Sequence, residues 1–464
     1  AEAGFPIATV DPAHIMVFGR EKQLPIYIEG GDDGVLNAGD FIEFIGRKND
    51  GWIDTRMYPN AHDHTNPYYS QYNDTLHYFI TWDPDPSVAK KRAVPYVNAD
   101  IDSYTPEPWV WGISKTPLVD YYWPGLLDPS HGETSGLQQA GEGWGGGPLY
   151  TRDATVEQGF YVPTPSPYMA VDAPPVTVHT TAAAMTNPGD LNNDDHHLQI
   201  YAGAGAGELY IDSIYRGAVA THHQFEIPAS AMSASLYVRY RALHDLPLGM
   251  TTPDYLDFQA AGSATVRYAR TPAIGGNTPT ELWIPNEQGQ PVARLDLTGY
   301  SGTPVLYAAG ETMHRIMPTA AGSTWRALVP AFADSATTET SVLPLDSVRL
   351  ISALTRVSDD GYFVNYGAMD PDSAFLIVSH RSLWTGANAY AQYRSASAPD
   401  TRPVVLADVD ELYDQFGGCV PKNGLAIRMW SKYVLDHWTT DPRGLFLIGK
   451  SVTNTSVYGQ PIGM

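Results

Sequence analysis

Cys419 is the one thiol in the chain and the first residue to test for chemistry. A thiolate attacks carbonyl carbon once a nearby base and a lowered pKa activate it. Cys419 stands in Phe416-Gly417-Gly418-Cys419-Val420-Pro421, a loop ahead of a helical stretch. That loop falls opposite the carboxyl ends of the neighbouring strands, whereas open α/β sheets hold ligands at those carboxyl ends. Cys419 therefore reads as an inert thiol. His380, Asp408 and Lys450 do fall at the carboxyl ends of three expected parallel strands. They are the candidates, from the residues alone, for a role around a site.

Oxygen and nitrogen ligands come next. Asp190-Leu191-Asn192-Asn193-Asp194-Asp195 spaces oxygen ligands at alternate positions, as a calcium loop does. Asp33-Gly34 with Asn37 and Asp40 imitates half of an EF-hand loop, with Gly31 leaving one ligand position empty. Turns rich in Asn and Asp account for both equally well, so no cofactor is expected and Ca2+ is the alternative. His62-Asp63-His64, His196-His197 and His222-His223 carry zinc-ligand types. Adjacent strand residues point to opposite faces, so these histidines are expected on solvated loops or strand faces. Ser130-His131 lacks the Gly-x-Ser-x-Gly elbow of a serine hydrolase. No catalytic, cofactor or metal residue is expected in this chain.

The elements that must position these residues follow from composition and punctuation. The 464 residues exceed the roughly 250–300 at which a single core stops growing, so several domains are expected. Charged residues make up 17% and hydrophobic ones 43%, with 29 Tyr and 11 Trp, which is the composition of a folded chain. The net charge of −23 comes with no compensating Lys/Arg cluster, which argues against nucleic acid as a partner. A lone cysteine forms no internal disulfide. No run approaches the roughly 18 apolar residues of a membrane helix, so no direct membrane span is expected. The start Ala1-Glu2-Ala3-Gly4 has no leader pattern, which suggests a leader removed or a trimmed segment.

Strand-like runs separated by Gly, Asp, Asn and Pro fill most of the chain. Residues 1–165 read as an amino-terminal β-domain with long loops, the stretch from 84 onward supplying loops and edge strands. Residues 166–271 read as a β-sandwich and 272–368 as a smaller β-domain or connector. After Asp370 the pattern becomes strand, helix, strand, helix, strand, through Phe375-Leu376-Ile377-Val378, Val404-Val405-Leu406 and Leu445-Phe446-Leu447-Ile448. That order marks a parallel sheet with right-handed crossovers over 369–464. Three strands leave an open edge, so this α/β domain is expected to be begun and not finished at Met464. The fold class expected is multidomain and mainly β, with β-sandwiches followed by the start of an α/β parallel-sheet domain.

Particular segments carry a resemblance. Phe375-Leu376-Ile377-Val378-Ser379-His380, Ala391-Gln392-Tyr393-Arg394 and Asp408-Val409-Asp410-Glu411-Leu412-Tyr413-Asp414-Gln415-Phe416-Gly417-Gly418 resemble the opening of the gingipain-type cysteine peptidase domain. Ala426-Ile427-Arg428 and Leu445-Phe446-Leu447-Ile448-Gly449 continue it. Upstream, Val17-Phe18-Gly19, Asp33 to Phe44, Thr65-Asn66-Pro67-Tyr68-Tyr69 and Gly141-Glu142-Gly143-Trp144 resemble the leading domain of type IX secretion sortases. The resemblance implies a caspase-like fold and a Cys/His dyad in the completed peptidase domain. Lys450 stands where the family has an acidic residue, and the family's Gly-His-Gly and nucleophilic Cys segments have no counterpart here.

As a function, the resemblance implies the amino-terminal part of a secreted, sortase-like cysteine peptidase. Such an enzyme cleaves carboxy-terminal sorting domains from type IX secretion cargo and can attach the cargo to surface lipopolysaccharide. It also implies export to the cell surface of a Bacteroidetes-type outer membrane. The partners implied are outer-membrane and surface proteins of the attachment complex, and exported cargo. The rival reading is a non-catalytic β-sandwich scaffold or adhesin that binds a protein or glycan, its Tyr and Trp serving as stacking surfaces.

Overall fold

Short runs of Val, Ile, Thr and Tyr cut by Gly, Asn and Asp give strands through most of the described residues, and among those residues α-helices occur only after Leu383. The computed structural model describes residues 3–125, 138–151, 154–186, 194–246, 257–273, 281–285, 292–300, 302–310, 312–330, 339–345, 348–351, 353–358 and 360–450. Two compact units result: Ala1–Arg56 with Ser70–Lys91 and Leu350–Met464, and Met57–Tyr69 with Arg92–Arg349.

The second unit is all β. A ten-stranded sheet runs through it, with Phe258–Arg270 paired on one side to Val176–Ala184 and on the other to Val110–Pro117. A four-stranded sheet of Val156–Pro163, Ser235–Ala242, His196–Gly203 and Glu208–Tyr215 packs on it. Alternating inward residues close the core between them: Val176, Val178 and Val266 from one sheet, Ile200, Val238 and Tyr240 from the other. The long sheet continues through Leu282–Pro285 and Glu339–Leu345, where a second core forms against the sheet of Val292–Leu297, Thr324–Pro330 and Thr319–Ala321. Val110–Pro117, expected at an edge, is an interior strand. Its Pro117 has no N–H to give, but it is the last residue of the strand, where that loss is tolerated.

The first unit joins antiparallel strands from the amino-terminal end to a parallel sheet from the carboxy-terminal end. Ile15–Gly19 lies between Lys22–Leu24 and Phe79–Trp82. Pro25 splits the expected run at Leu24 to Ile28, so Ile26–Glu29 pairs instead with Phe41–Phe44. The parallel sheet has Phe375–Ser379 at its centre, with Val404–Asp408 and Gly444–Ile448 on either side. Helix α1 spans Trp384–Ala396, α2 Val409–Phe416 and α3 Leu425–His437.

Local chemistry sets these helices. The Asp408 carboxylate accepts from the Asp410 N–H at 3.2 Å, and Asp410 and Glu411 sit in the first turn of α2, where the helix dipole favours negative charge. Trp430 and Val434 in α3, and Trp438 just after it, recur at four-residue spacing and fill the core with Leu376, Val378, Ala407 and Leu412. α1 lies on the opposite face, where Tyr390 meets Phe375 and Phe446.

A buried polar seam ties the segments of this unit together. Asn49 donates to the Ser70 hydroxyl and to the Asn73 carbonyl, both at 2.7 Å. The Asn73 amide donates to the Pro421 carbonyl at 2.5 Å. Asp54, fully buried, accepts from the Gln71 N–H at 2.7 Å, while its Oδ1 has no partner. Burial, opposed in part by that hydrogen bond, pushes its pKa up to about 7.

Two outcomes follow for stability. Trp430 is fully buried, so Trp430→Ala lowers unfolding free energy by about 3–5 kcal/mol in a denaturant titration. Trp430→Phe costs far less, because the indole N–H it removes has no partner. Asp54 binds its proton more tightly folded than unfolded, so its contribution is full below about pH 4 and declines as pH rises to about 7. The Asp54→Asn protein should therefore show a flatter melting temperature between about pH 4 and 7 than the parent and a higher one at about pH 8.

Candidate functional site at the carboxyl ends of the parallel strands

Parallel strands place all their carboxyl ends on one edge of the sheet, and each helix then leaves from that edge. His380, Asp408 and Lys450 follow or end the three strands there, as expected. Asp408 accepts from the Arg381 guanidinium at 2.6 Å, and that guanidinium lies 4.6 Å over the Trp384 ring. His380 Nε2 stands 3.1 Å from the Asp410 carboxylate. Its Nδ1 accepts from the Ser382 N–H at 3.1 Å and lies 2.7 Å from the Ser382 hydroxyl. Lys450 is exposed at the end of the third strand.

This edge is thus a row of hydrogen-bonded polar groups: Ser382, His380 and Asp410, with Arg381 and Asp408 beside them. The row continues along α2, where Asp414 pairs with Nδ1 of His77 at 2.8 Å. Burial raises the Asp410 pKa, countered by His380. The hydrogen bond that His77 gives to Asp414 raises its own pKa, which favours the imidazolium form. His380 is half exposed and caps the short turn at Arg381–Leu383, so the arrangement can orient a ligand or hold a proton at an imidazole nitrogen. Arg381, Ser382, Asp410 and His77 are not among the site residues expected from the sequence. Their places one or two residues after His380 and Asp408 were the available signal for Arg381, Ser382 and Asp410.

Cys419 lies apart from this edge, beyond the far end of α2. It is buried, in a left-handed conformation with φ of 65°. Burial pushes its thiol up to about 11, so little thiolate exists near neutrality. Gly418 before it has φ of 68°, and the Trp52 and Ile53 side chains fill the space a Cβ would need.

The remaining candidates resolve case by case. At the Asp33 loop, Asp33 accepts from the Val35 N–H at 3.1 Å and from the Asn37 amide at 2.8 Å. Asp40 accepts from the Asn37 N–H at 2.7 Å, so these carboxylates make turns. Asp190 to Asn193, and Ser130 with His131, lie outside the described residues.

His196 and His197, expected on a solvated face, are buried, because acceptors inside the second unit meet both rings. His196 Nδ1 is 2.6 Å from Asp257, and its Nε2 is 3.3 Å from the Thr186 carbonyl and 3.4 Å from Asp195. Burial lowers its pKa, but the Asp257 hydrogen bond and both carboxylates raise it on balance. His197 bridges Asp245 at 2.9 Å and Asp212 at 2.5 Å. His222 is also half-buried, and the structure brings it to His62 and to His179, which the sequence reading passed over. Among the described residues no three His, Cys, Asp or Glu side chains are placed to hold a metal ion. None of the described helices is long and apolar enough to cross a membrane.

Residues 369–458 match the sequence profile of peptidase family C25, the gingipain family. The fold matches the crystal structure of dimeric latent PorU from Porphyromonas gingivalis, with a TM-score of 0.52 and 14% identity over 94% of this chain. This chain spans 38% of the length of that PorU chain. A structure of infectious bursal disease virus, strain Gx, aligns with 10% identity over 73% of this chain and 75% of its own, at a TM-score of 0.15, which carries no argument. No curated protein sequence matches the chain.

Cys419 provides a direct test of the chemistry assigned to it. Native protein at about pH 8 should react with iodoacetamide at least about tenfold more slowly than the same protein in denaturant, as mass spectrometry of the peptide containing Cys419 would report.

Proposed function

From the premise that its carboxy-terminal segment is the opening of a gingipain-type C25 domain on a PorU-like fold, we propose that this chain is the amino-terminal part of a secreted, sortase-like cysteine peptidase. The observation that carries the reading is the third parallel strand. Leu445, Phe446 and Leu447 are 40, 43 and 53% exposed, although they alternate between the two faces of the sheet. Parallel sheets are covered on both faces, so a strand of this kind calls for further helices and a further strand beside it.

The mechanism proposed for the whole protein places the Cys/His dyad on those further elements. A thiolate adds to the cargo carbonyl, the amine of the sorting domain leaves with a proton from the histidine, and an acyl-enzyme remains. Water, or an amine on surface lipopolysaccharide, then takes the acyl group while passing a proton back to the histidine, and the thiolate leaves as it was. In this reading the row at His380, Ser382 and Asp410 borders the substrate without supplying the nucleophile. The proposed setting is the outer face of the outer membrane, with exported cargo and surface proteins of the type IX attachment complex as partners.

The test uses the full-length gene product with a cargo protein fused to a sorting domain. Cleavage should be lost on thiol alkylation and should persist within about twofold in the Cys419→Ser protein, since Cys419 is buried away from the carboxyl edge. Cleavage abolished by Cys419→Ser would overturn the assignment. An absence of cleavage in the untreated protein would favour the scaffold reading.

A further inference from the structure

Within the second unit, the segment 57–69 lies against the strands Val176–Ala184, Val219–Ile227 and Phe258–Arg270 through two kinds of contact. At Thr65 and Asn66 the contact is neutral. The hydroxyls of Thr181 and Ser263 donate to the Thr65 carbonyl, and the Asn66 amide donates to the Leu118 carbonyl at 2.7 Å. Gly262 permits this approach, because a Cβ there would overlap the Thr65 carbonyl.

At Asn60 to His64 the contact is made of imidazoles. His62 meets His222 edge-on, with ring centroids 4.7 Å apart at 84°. His222 lies 5.6 Å from His179, and its Nε2 donates to the His62 carbonyl at 2.7 Å. His64 is buried and stacks on Tyr58 at 4.8 Å, and its Nδ1 has no hydrogen-bond partner. His223, the next residue along the strand from His222, has its Nε2 buried without a partner. Asp63 is the carboxylate that acts on His222. Apart from the His62 carbonyl on His222, the other groups acting on these rings are the rings themselves.

We propose that Asn60 to His64 is an acid-released latch: protonating His64 on this stretch and His179 and His222 on the strands beneath it brings like charges together and lifts the stretch from the sheet, while Thr65 and Asn66 stay bound. One carboxylate cannot neutralise three or more imidazolium groups, and the geometry leaves the excess charge between the short turn Ala61–Asp63 and the strands beneath it. The direction agrees with the ionisation of the individual rings. Burial first holds His64 at about 4 and lowers His179, His222 and His223; neighbouring imidazoles add to this, while at His222 the hydrogen bond to the His62 carbonyl and the Asp63 carboxylate oppose it in part. A histidine that resists protonation when docked stabilises the docked form fully above about pH 6.5 and progressively less as pH falls toward its docked value.

Hydrogen exchange tests the latch in the intact chain, with rates corrected for the intrinsic pH dependence. The Asp63 and His64 amides bond within the turn, and the Gly141 amide donates to the Asp63 carbonyl at 2.9 Å. On going from about pH 7.5 to about pH 5, these amides should lose at least about tenfold in protection. The amide of Ser263, held by Thr181 at 2.8 Å, should change by less than about twofold. His179→Gln, and separately His222→Gln, should move the midpoint of release to lower pH by removing one charge. Unchanged protection at the turn would overturn the proposal. So would equal loss at Ser263, or variants that release at the parent's pH.

Discussion

A parallel sheet has no face it can leave to water. Its strands are apolar on both sides, because the crossover connections that join them must themselves be packed somewhere. Here Leu376 and Val378 point to α2 and α3, while Phe375 turns toward α1 on the other side. Every element after Asp370 is placed by that demand. The polar row at Ser382, His380 and Asp410 exists because the demand sends each connection off the same edge of the sheet.

The amino-terminal strands of the first unit supply support of another kind. Trp52 and Ile53 pack on Gly418, Asn73 holds the Pro421 carbonyl, and His77 reaches Asp414 on α2. These contacts brace the end of α2 and the loop to α3, so the inert surroundings of Cys419 are built by residues several hundred positions away. Burying Asn49 and Asp54 is tolerable because most of their polar atoms find partners; the exception, Oδ1 of Asp54, favours the protonated carboxyl.

Much of the fold was legible because periodicity is local. The alternation at Leu236 to Tyr240 and the apolar run at Phe375 to Val378 mark their strands with no knowledge of neighbours, and the Ile427, Trp430, Val434 and Trp438 spacing marks α3. Pairing is not local. Nothing in Val110 to Pro117 announces that Phe258–Arg270 will lie beside it, which is why an interior strand read as an edge. The site divided the same way. His380 and Asp408 were found from strand ends, but their partners Arg381 and Asp410 needed side-chain directions. His196 read as a solvated residue because its carboxylate, Asp257, is far away in sequence.

The ten-stranded sheet shared by both cores of the second unit has a practical meaning. Leu282 and Trp283 bond directly to Gly112 and Trp111, so the passage from one sandwich to the next is a ladder of amides and carbonyls and not a tether. Anyone dividing this unit for expression would sever main-chain bonds wherever the knife fell between the two halves. Each fragment would then carry a raw flank, seeking a surrogate for its lost neighbour.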